Sequence, residues 1–379
     1  MKEGMPEFTP SRADRSFVMS AGHWQVDDPR VEKDPNAAKN GVGQTALNII
    51  STIMGGGIVS IPYAYAVAGV RVGLTVQVAV VIAIMIACVL YLKTRSILQC
   101  STSFSMIANM CLGSYSSVFI NALIALAVFG ILILYMLLFA RIAIQIFAPE
   151  SASPEEQASI FGSKTLYIVG LSVLICPIIV RKRLQELKFT TYVLFLGVIS
   201  LTILLSVKLG VEGSYNYRVA QGTAAPVVTA VDTTTGERGM AEKIMDSVNI
   251  AVASQGFVIA LFPIYGDMKK EARPKMMISA LIALTFTCSV YTYLSFVSIA
   301  YFGLDNIAQS IFENMKASRD IETTMLLVLF LVIFCCNIPF IFFAGKVSII
   351  SIVQMHVPRP TDEEEEEFNV EFFKNPDNF

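Results

Sequence analysis

Eight stretches of this chain contain no Asp, Glu, Lys or Arg: 45–70, 72–92, 96–140, 165–180, 189–207, 247–266, 276–304 and 323–345. A helix needs about 20 apolar residues to cross a ~30 Å hydrocarbon core. Backbone at that depth satisfies its polar groups only in helices or closed barrels, and these runs lack the short alternation of barrel strands. They predict an all-α membrane protein with about eight spans. The shortest, 165–180, is flanked by Lys164 and Arg181, whose stems reach the two interfaces.

Composition supports this: 54% of residues are hydrophobic and 15% charged, against about 45–50% and 25% in soluble domains. One membrane domain over 45–352 is expected between two polar ends. Residues 1–44 read as a disordered tail, with no apolar run behind a basic start and hence no cleavable signal. Residues 353–379 form an acidic tail that includes the unbroken run Asp362 to Glu367, expected to be solvated.

Several function classes drop out. A net charge of −2 offers no basic field for nucleic acid. Two histidines leave little material for a metal site or a proton relay. No phosphate-binding loop or Ser/His/Asp set occurs, so no enzyme is predicted and no cofactor beyond a coupling Na+ or H+. Asp246 and Asp267 lie at opposite ends of one span, too far apart for paired-aspartate chemistry. The 7 cysteines lie in or beside apolar runs and read as buried small hydrophobes rather than a disulfide framework.

Loop charges set the orientation. Lys93 and Arg95, then Arg181, Lys182, Arg183 and Lys188, then Lys269, Lys270, Arg273 and Lys275 follow the even-numbered spans. By the positive-inside bias both termini are cytoplasmic; the host membrane, plasma or internal, is left open. The segment Ser101 to Ser117 reads as an interfacial helix ending at Gly113, or as a loop. The outer loop 208–244, rich in Gly, Thr, Ala and Val, carries little that packs.

The chemistry concentrates in two spans. Span one contains Gly55, Gly56 and Gly57, then Ile58 and, further on, Pro62. Glycine costs a helix about 1 kcal/mol and proline about 3, and adjacent glycines do not make the four-residue spacing of helix-packing motifs. A broken helix is expected, whose freed N–H groups suit a carboxylate and whose freed carbonyls suit a cation. Span six repeats the signal with Gly256 and Pro263, behind a polar first half holding Asp246, Ser247, Asn249, Ser254 and Gln255. Interrupted spans at matching positions of two halves point to a transporter's binding site. Asn337, in the apolar run of span eight, is an amide that needs partners, either a neighbouring helix or a ligand.

The run Asn48 to Gly69, NIISTIMGGGIVSIPYAYAVAG, resembles the first span of the amino acid/auxin permease family. The likeness continues at Ser103-Phe104-Ser105 to Gly113, at Leu261-Phe262-Pro263-Ile264-Tyr265-Gly266-Asp267 and at Ile338-Pro339 to Lys346. It covers roughly 43–352. The resemblance implies a LeuT-type five-plus-five inverted repeat and secondary transport of neutral amino acids. Its substrate site maps to Gly55, Gly56, Gly57 and Ile58, facing Ser254, Gln255 and Gly256. Ser51 stands where sodium-coupled members carry Asn, and Asn337 where they carry Thr, so Ser51, Thr52 and Asn337 are the candidate coupling-ion ligands and sodium is not assured.

The family normally has about eleven spans, so the resemblance also implies that three helices are missing. Such a bundle works in the lipid bilayer either alone or with a membrane-protein partner covering the gap. The alternative function is therefore that of a transport-inactive structural or regulatory subunit. An incomplete gene product and a heptahelical receptor are further alternatives.

Overall fold

The structure, a computed structural model, describes residues 40–98, 104–147, 163–180, 188–221, 239–269, 271–315 and 320–356. The described helices are α1 (Val42–Ile53), α2 (Ile61–Ala68), α3 (Val70–Leu98), α4 (Phe104–Leu112), α5 (Ser114–Phe147), α6 (Lys164–Val180) and α7 (Lys188–Glu212). They continue as α8 (Tyr215–Ala220), α9 (Met240–Gln255), α10 (Leu261–Gly266), α11 (Met276–Phe302), α12 (Ile311–Met315) and α13 (Ile321–His356). Among the described residues five continuous helices are long and apolar enough to cross a membrane, or 6 counting the bent pair at the start of the chain. The protein is an all-α, multi-pass membrane protein.

The 16-residue α9 holds only about half of span six; α10, which completes it beyond the break, has 6. Lys164–Cys176 is a shorter apolar helix. The tail readings at 1–39 and 357–379 lie outside the described residues; α1 already begins at Val42 and α13 runs on to His356.

The element order repeats. A broken span is followed by a long helix, a short helix and another long helix: α3 has 29 residues, α4 9 and α5 34. In the second pass α11 has 27, α12 5 and α13 36. The packing divides accordingly. α1, α2, α3, α9, α10 and α11 pack among themselves, while α5, α6 and α13 form a second group. α7 leans on both. In the second group the Tyr135 and Phe334 rings meet edge to face, their centroids 5.3 Å apart.

Each end of the bundle is closed by different chemistry. At the end with the basic loops, Asn40 N–H donates to the Asp267 carbonyl at 2.9 Å and its own carbonyl accepts from Lys269 N–H at 3.1 Å, tying the start of α1 to the end of α10. Beside it Arg95 donates to the Tyr265 hydroxyl at 3.0 Å and lies over that ring. The Phe104 and Phe262 rings, 4.4 Å apart, fix α4 to α10. α4 ends at Gly113, where φ is 89 and the left-handed turn favours glycine, so the helix reading of Ser101 to Ser117 holds over Phe104–Leu112.

At the opposite end ion pairs join the elements: Arg141 with Glu313 at 2.6 Å, and Lys208 with Asp320. Here the sequence reading needs correction, because the first part of 208–244 does pack. α7 runs to Glu212, the chain turns at Gly213, and α8 lies on α11. The Arg218 guanidinium sits 4.1 Å from the Tyr301 ring centroid and donates to the Tyr301 carbonyl. Glu212 accepts from the Tyr301 hydroxyl at 2.7 Å and pairs with Arg218 at 3.3 Å. A cation on an aromatic face holds this segment without an apolar run, and hydropathy does not register that. Residues 222–238 lie outside the described residues.

The cysteine reading also needs amending. The six described cysteines are free, but Cys88 alone among them is buried; Cys111 and Cys176 are exposed and Cys288, Cys335 and Cys336 are half-buried. In a membrane protein an apolar run has a lipid-facing side, so an apolar position need not be an interior one.

Candidate functional site

Both glycine-marked spans break, and in the same way. α1 stops at Ile53, whose carbonyl accepts from Gly55 N–H, two residues on, at 2.8 Å. α9 stops at Gln255, whose carbonyl accepts from Phe257 N–H at 2.9 Å. The residue between is Met54, at φ −73 and ψ 37, in the first case and Gly256, at φ −75 and ψ 63, in the second. These are bonds of the inverse γ-turn type. A turn of 3-10 helix follows in each, Gly56–Val59 and Val258–Ala260, and then a helix with proline in its first turn, Pro62 in α2 and Pro263 in α10. Proline fits there because the first helical N–H groups have no intrahelical partner. The two halves of span one are bent by 59°.

The breaks face each other. A Cβ added at Gly57 would lie 2.5 Å from the Ser254 Cα, so glycine is what allows the two backbones to touch. The Ser254 hydroxyl donates to Ile250 O at 2.6 Å, with Gly57 O a longer second acceptor at 3.3 Å. Gly57 is thus brought against Ser254, with Gln255 and Gly256 next in the chain at the end of α9, whereas Gly55 faces Tyr135. Gln255 is fully buried; its Oε1 lies 3.3 Å from the Thr287 hydroxyl, whose O–H is shared with Leu284 O at 3.2 Å, while its Nε2 has no hydrogen-bond partner among the described residues. A buried donor without an acceptor costs about 1–3 kcal/mol, so a ligand acceptor here is worth that much.

Three residues of this site come from helices that the sequence reading did not single out. The Tyr135 hydroxyl of α5 abuts Gly55, where any Cβ would overlap it. Tyr291 of α11, fully buried, donates to Ile53 O at 2.9 Å and reaches Ser254 O at 3.5 Å. Thr287 precedes it by one turn. A sequence signal for both existed: Thr287, Tyr291, Ser295 and Ser298 recur at helical spacing and all are buried. Tyr135 is marked only as the one hydroxyl between Asn121 and Arg141.

The coupling-ion candidates are less concentrated. Ser51 and Thr52 both donate to Asn48 O, at 2.9 and 2.8 Å, which leaves their oxygen lone pairs available. Asn337 is half-buried on α13, which packs chiefly on α5, α7 and α6, and no hydrogen bond among the described residues joins it to Ser51 or Thr52. No group of three or more His, Cys, Asp or Glu able to hold a metal ion occurs among the described residues.

Residues 38–372 match the family model described as transmembrane amino acid transporter protein. No curated protein and no solved structure matches the chain.

Proposed function

The chain belongs to the transmembrane amino acid transporter family, and from that premise we propose that it carries neutral amino acids through the gap between its two broken spans. The observation that carries this is the contact of the two breaks at Gly57 and Ser254, because freed helix ends at mid-span are where a zwitterion finds both of its complements. The side chains around the breaks, Tyr135, Ser254, Gln255, Thr287 and Tyr291, are neutral, which favours a substrate without net charge.

In this reading the substrate carboxylate lies on N–H groups near Gly56 to Ile58, at the start of the second half of span one. The Tyr135 hydroxyl and the amide N–H of Gln255, unpaired among the described residues, are further donors. The repeated order of broken span, long helix, short helix and long helix supports a LeuT-type inverted repeat, here with eight spans. Two groups of helices meeting at the breaks support alternating access, the group holding spans one and six rocking against the group holding α5 and α13. Ser51 and Thr52 are the candidate ligands of a coupling cation, with Asn337 a separate position. The basic loops support cytoplasmic termini.

The test is uptake of a panel of labelled amino acids by proteoliposomes containing this chain alone, with and without imposed sodium and proton gradients. Saturable uptake that disappears in Gly57→Leu is expected, and the effective gradient names the coupling ion. Folded protein that takes up no amino acid overturns the reading in favour of a subunit whose partner completes the bundle.

A further inference from the structure

The Tyr291 side chain reaches both breaks: its one O–H donates to Ile53 O at 2.9 Å, with Ser254 O a longer second acceptor at 3.5 Å. Each break strips a backbone carbonyl of the N–H that a continuous helix would supply four residues on; for Ile53 and Ser254 those donors would be Gly57 and Val258, which lie in 3-10 turns instead. Carbonyls freed in this way at the C-terminal ends of half-helices are the usual seats of coupling cations. Here the Ile53 carbonyl is occupied from within. A carbonyl has two lone pairs: on Ile53 O one takes the Gly55 N–H at 2.8 Å and the other the Tyr291 hydroxyl at 2.9 Å. The same hydroxyl faces Ser254 O at 3.5 Å.

We propose that Tyr291 is a positioning residue whose hydroxyl, bonded to Ile53 O and set against Ser254 O, ties the two breaks into one body and fills, at the Ile53 carbonyl, the place a cation would otherwise take. Span one, span six and α11 then move together. Neither break opens alone, and the distance between Gly57 and Ser254 is held without an ion at this point. Thr287, one turn away on the same face, extends the hold by bonding the Gln255 side chain. The consequence for transport rests on the breaks being the substrate site; the tie itself does not.

Hydrogen–deuterium exchange of the purified protein tests the tie without any transport assay. In Tyr291→Phe the amides of 53–58 and of 254–258 are expected to exchange about tenfold faster or more, together, while those of 45–50 and 276–283 keep their rates. Wild-type rates at both breaks are expected to be the same in sodium chloride and in choline chloride of equal ionic strength. Should Tyr291→Phe fail to fold, 3-fluorotyrosine incorporated at position 291 keeps the ring, strengthens the O–H donor and is expected to slow both breaks together. A change confined to one break, no change at either, or sodium protection of wild type at 53–58 and 254–258 overturns the proposal. For function, Tyr291→Phe is expected to raise the KM for uptake about tenfold with kcat within about threefold. If wild type transports nothing while the exchange result holds, the substrate-site reading has failed and the tie has not.

Discussion

The two breaks share a turn, a stretch of 3-10 helix and a following proline, yet the sequence builds them differently. Span one uses three consecutive glycines, span six a single glycine behind a run of polar residues. The difference follows from what approaches each. At span one the neighbours press on the backbone itself: Tyr135 against Gly55 and Ser254 against Gly57. At span six the close approach falls on Ser254 rather than on the glycine, and a Cβ on Gly256 would find only Val252 O at 3.0 Å and Ala253 O at 3.7 Å, both in its own span. Glycine thus serves close approach in span one and a lesser need in span six, where φ of −75 is open to any residue.

The largest expected effect is therefore at Gly57. In Gly57→Ala the new methyl meets backbone, which cannot swing aside, so a cost of roughly 3 kcal/mol is expected. Uptake by proteoliposomes should fall ~100-fold. Retention of more than about a third of wild-type uptake would mean that the breaks do not close on each other as described.

Gly55→Ala comes next, because its methyl overlaps a hydroxyl at the end of a side chain rather than backbone. About a tenfold loss of uptake and a lowered melting temperature are expected. Adding Tyr135→Phe removes the overlapping oxygen and leaves the ring carbon at 3.2 Å, which a few tenths of an ångström of ring movement relieves, so the double variant should recover most of the melting temperature of Tyr135→Phe alone. It should not recover substrate affinity if the hydroxyl donates to the carboxylate. Recovery of both would reduce Tyr135 to a packing residue.

The breaks were legible because glycine and proline act locally, through the conformations they allow. What closes on the breaks was not, because those bonds span the chain: Tyr291 reaches Ile53 across 238 positions, and no local pattern records which neighbour a buried hydroxyl finds. The same limit hid the Arg218, Glu212 and Tyr301 cluster, whose residues read singly as loop or core. In contrast, the family likeness of Asn48 to Gly69 was carried by a contiguous string. The coupling residues sit between these cases. Ser51 and Thr52 fall beside a legible break, but hydropathy does not say which helices Asn337 faces, and α13 packs chiefly on α5, α7 and α6.

A smaller effect is expected on the span-six side at Thr287. Thr287→Val keeps the shape but deletes the donor that Gln255 Oε1 shares with Leu284 O, leaving the amide without a partner among the described residues. That costs about 1–3 kcal/mol in a buried site, less whatever the amide regains by rotating toward the substrate. A rise in KM of ~5-fold with kcat little changed is the expected split. An equal loss in both would place Thr287 in the folding of α11 rather than in the orientation of Gln255.

The smallest effect should fall on the residue that looked, in sequence, like the counterpart of the triple glycine. Gly256→Ala adds a methyl 3.0 Å from Val252 O, tight but relieved by a shift of a few tenths of an ångström at the last turn of α9. It also stiffens the unfolded chain, which offsets part of the strain by about 0.4–1 kcal/mol. Uptake within about threefold of wild type and a nearly unchanged melting temperature are expected. If Gly256→Ala instead matched Gly57→Ala in severity, close backbone approach would be as essential to span six as to span one. The asymmetry between a break made for contact and a break held by its neighbours would then disappear.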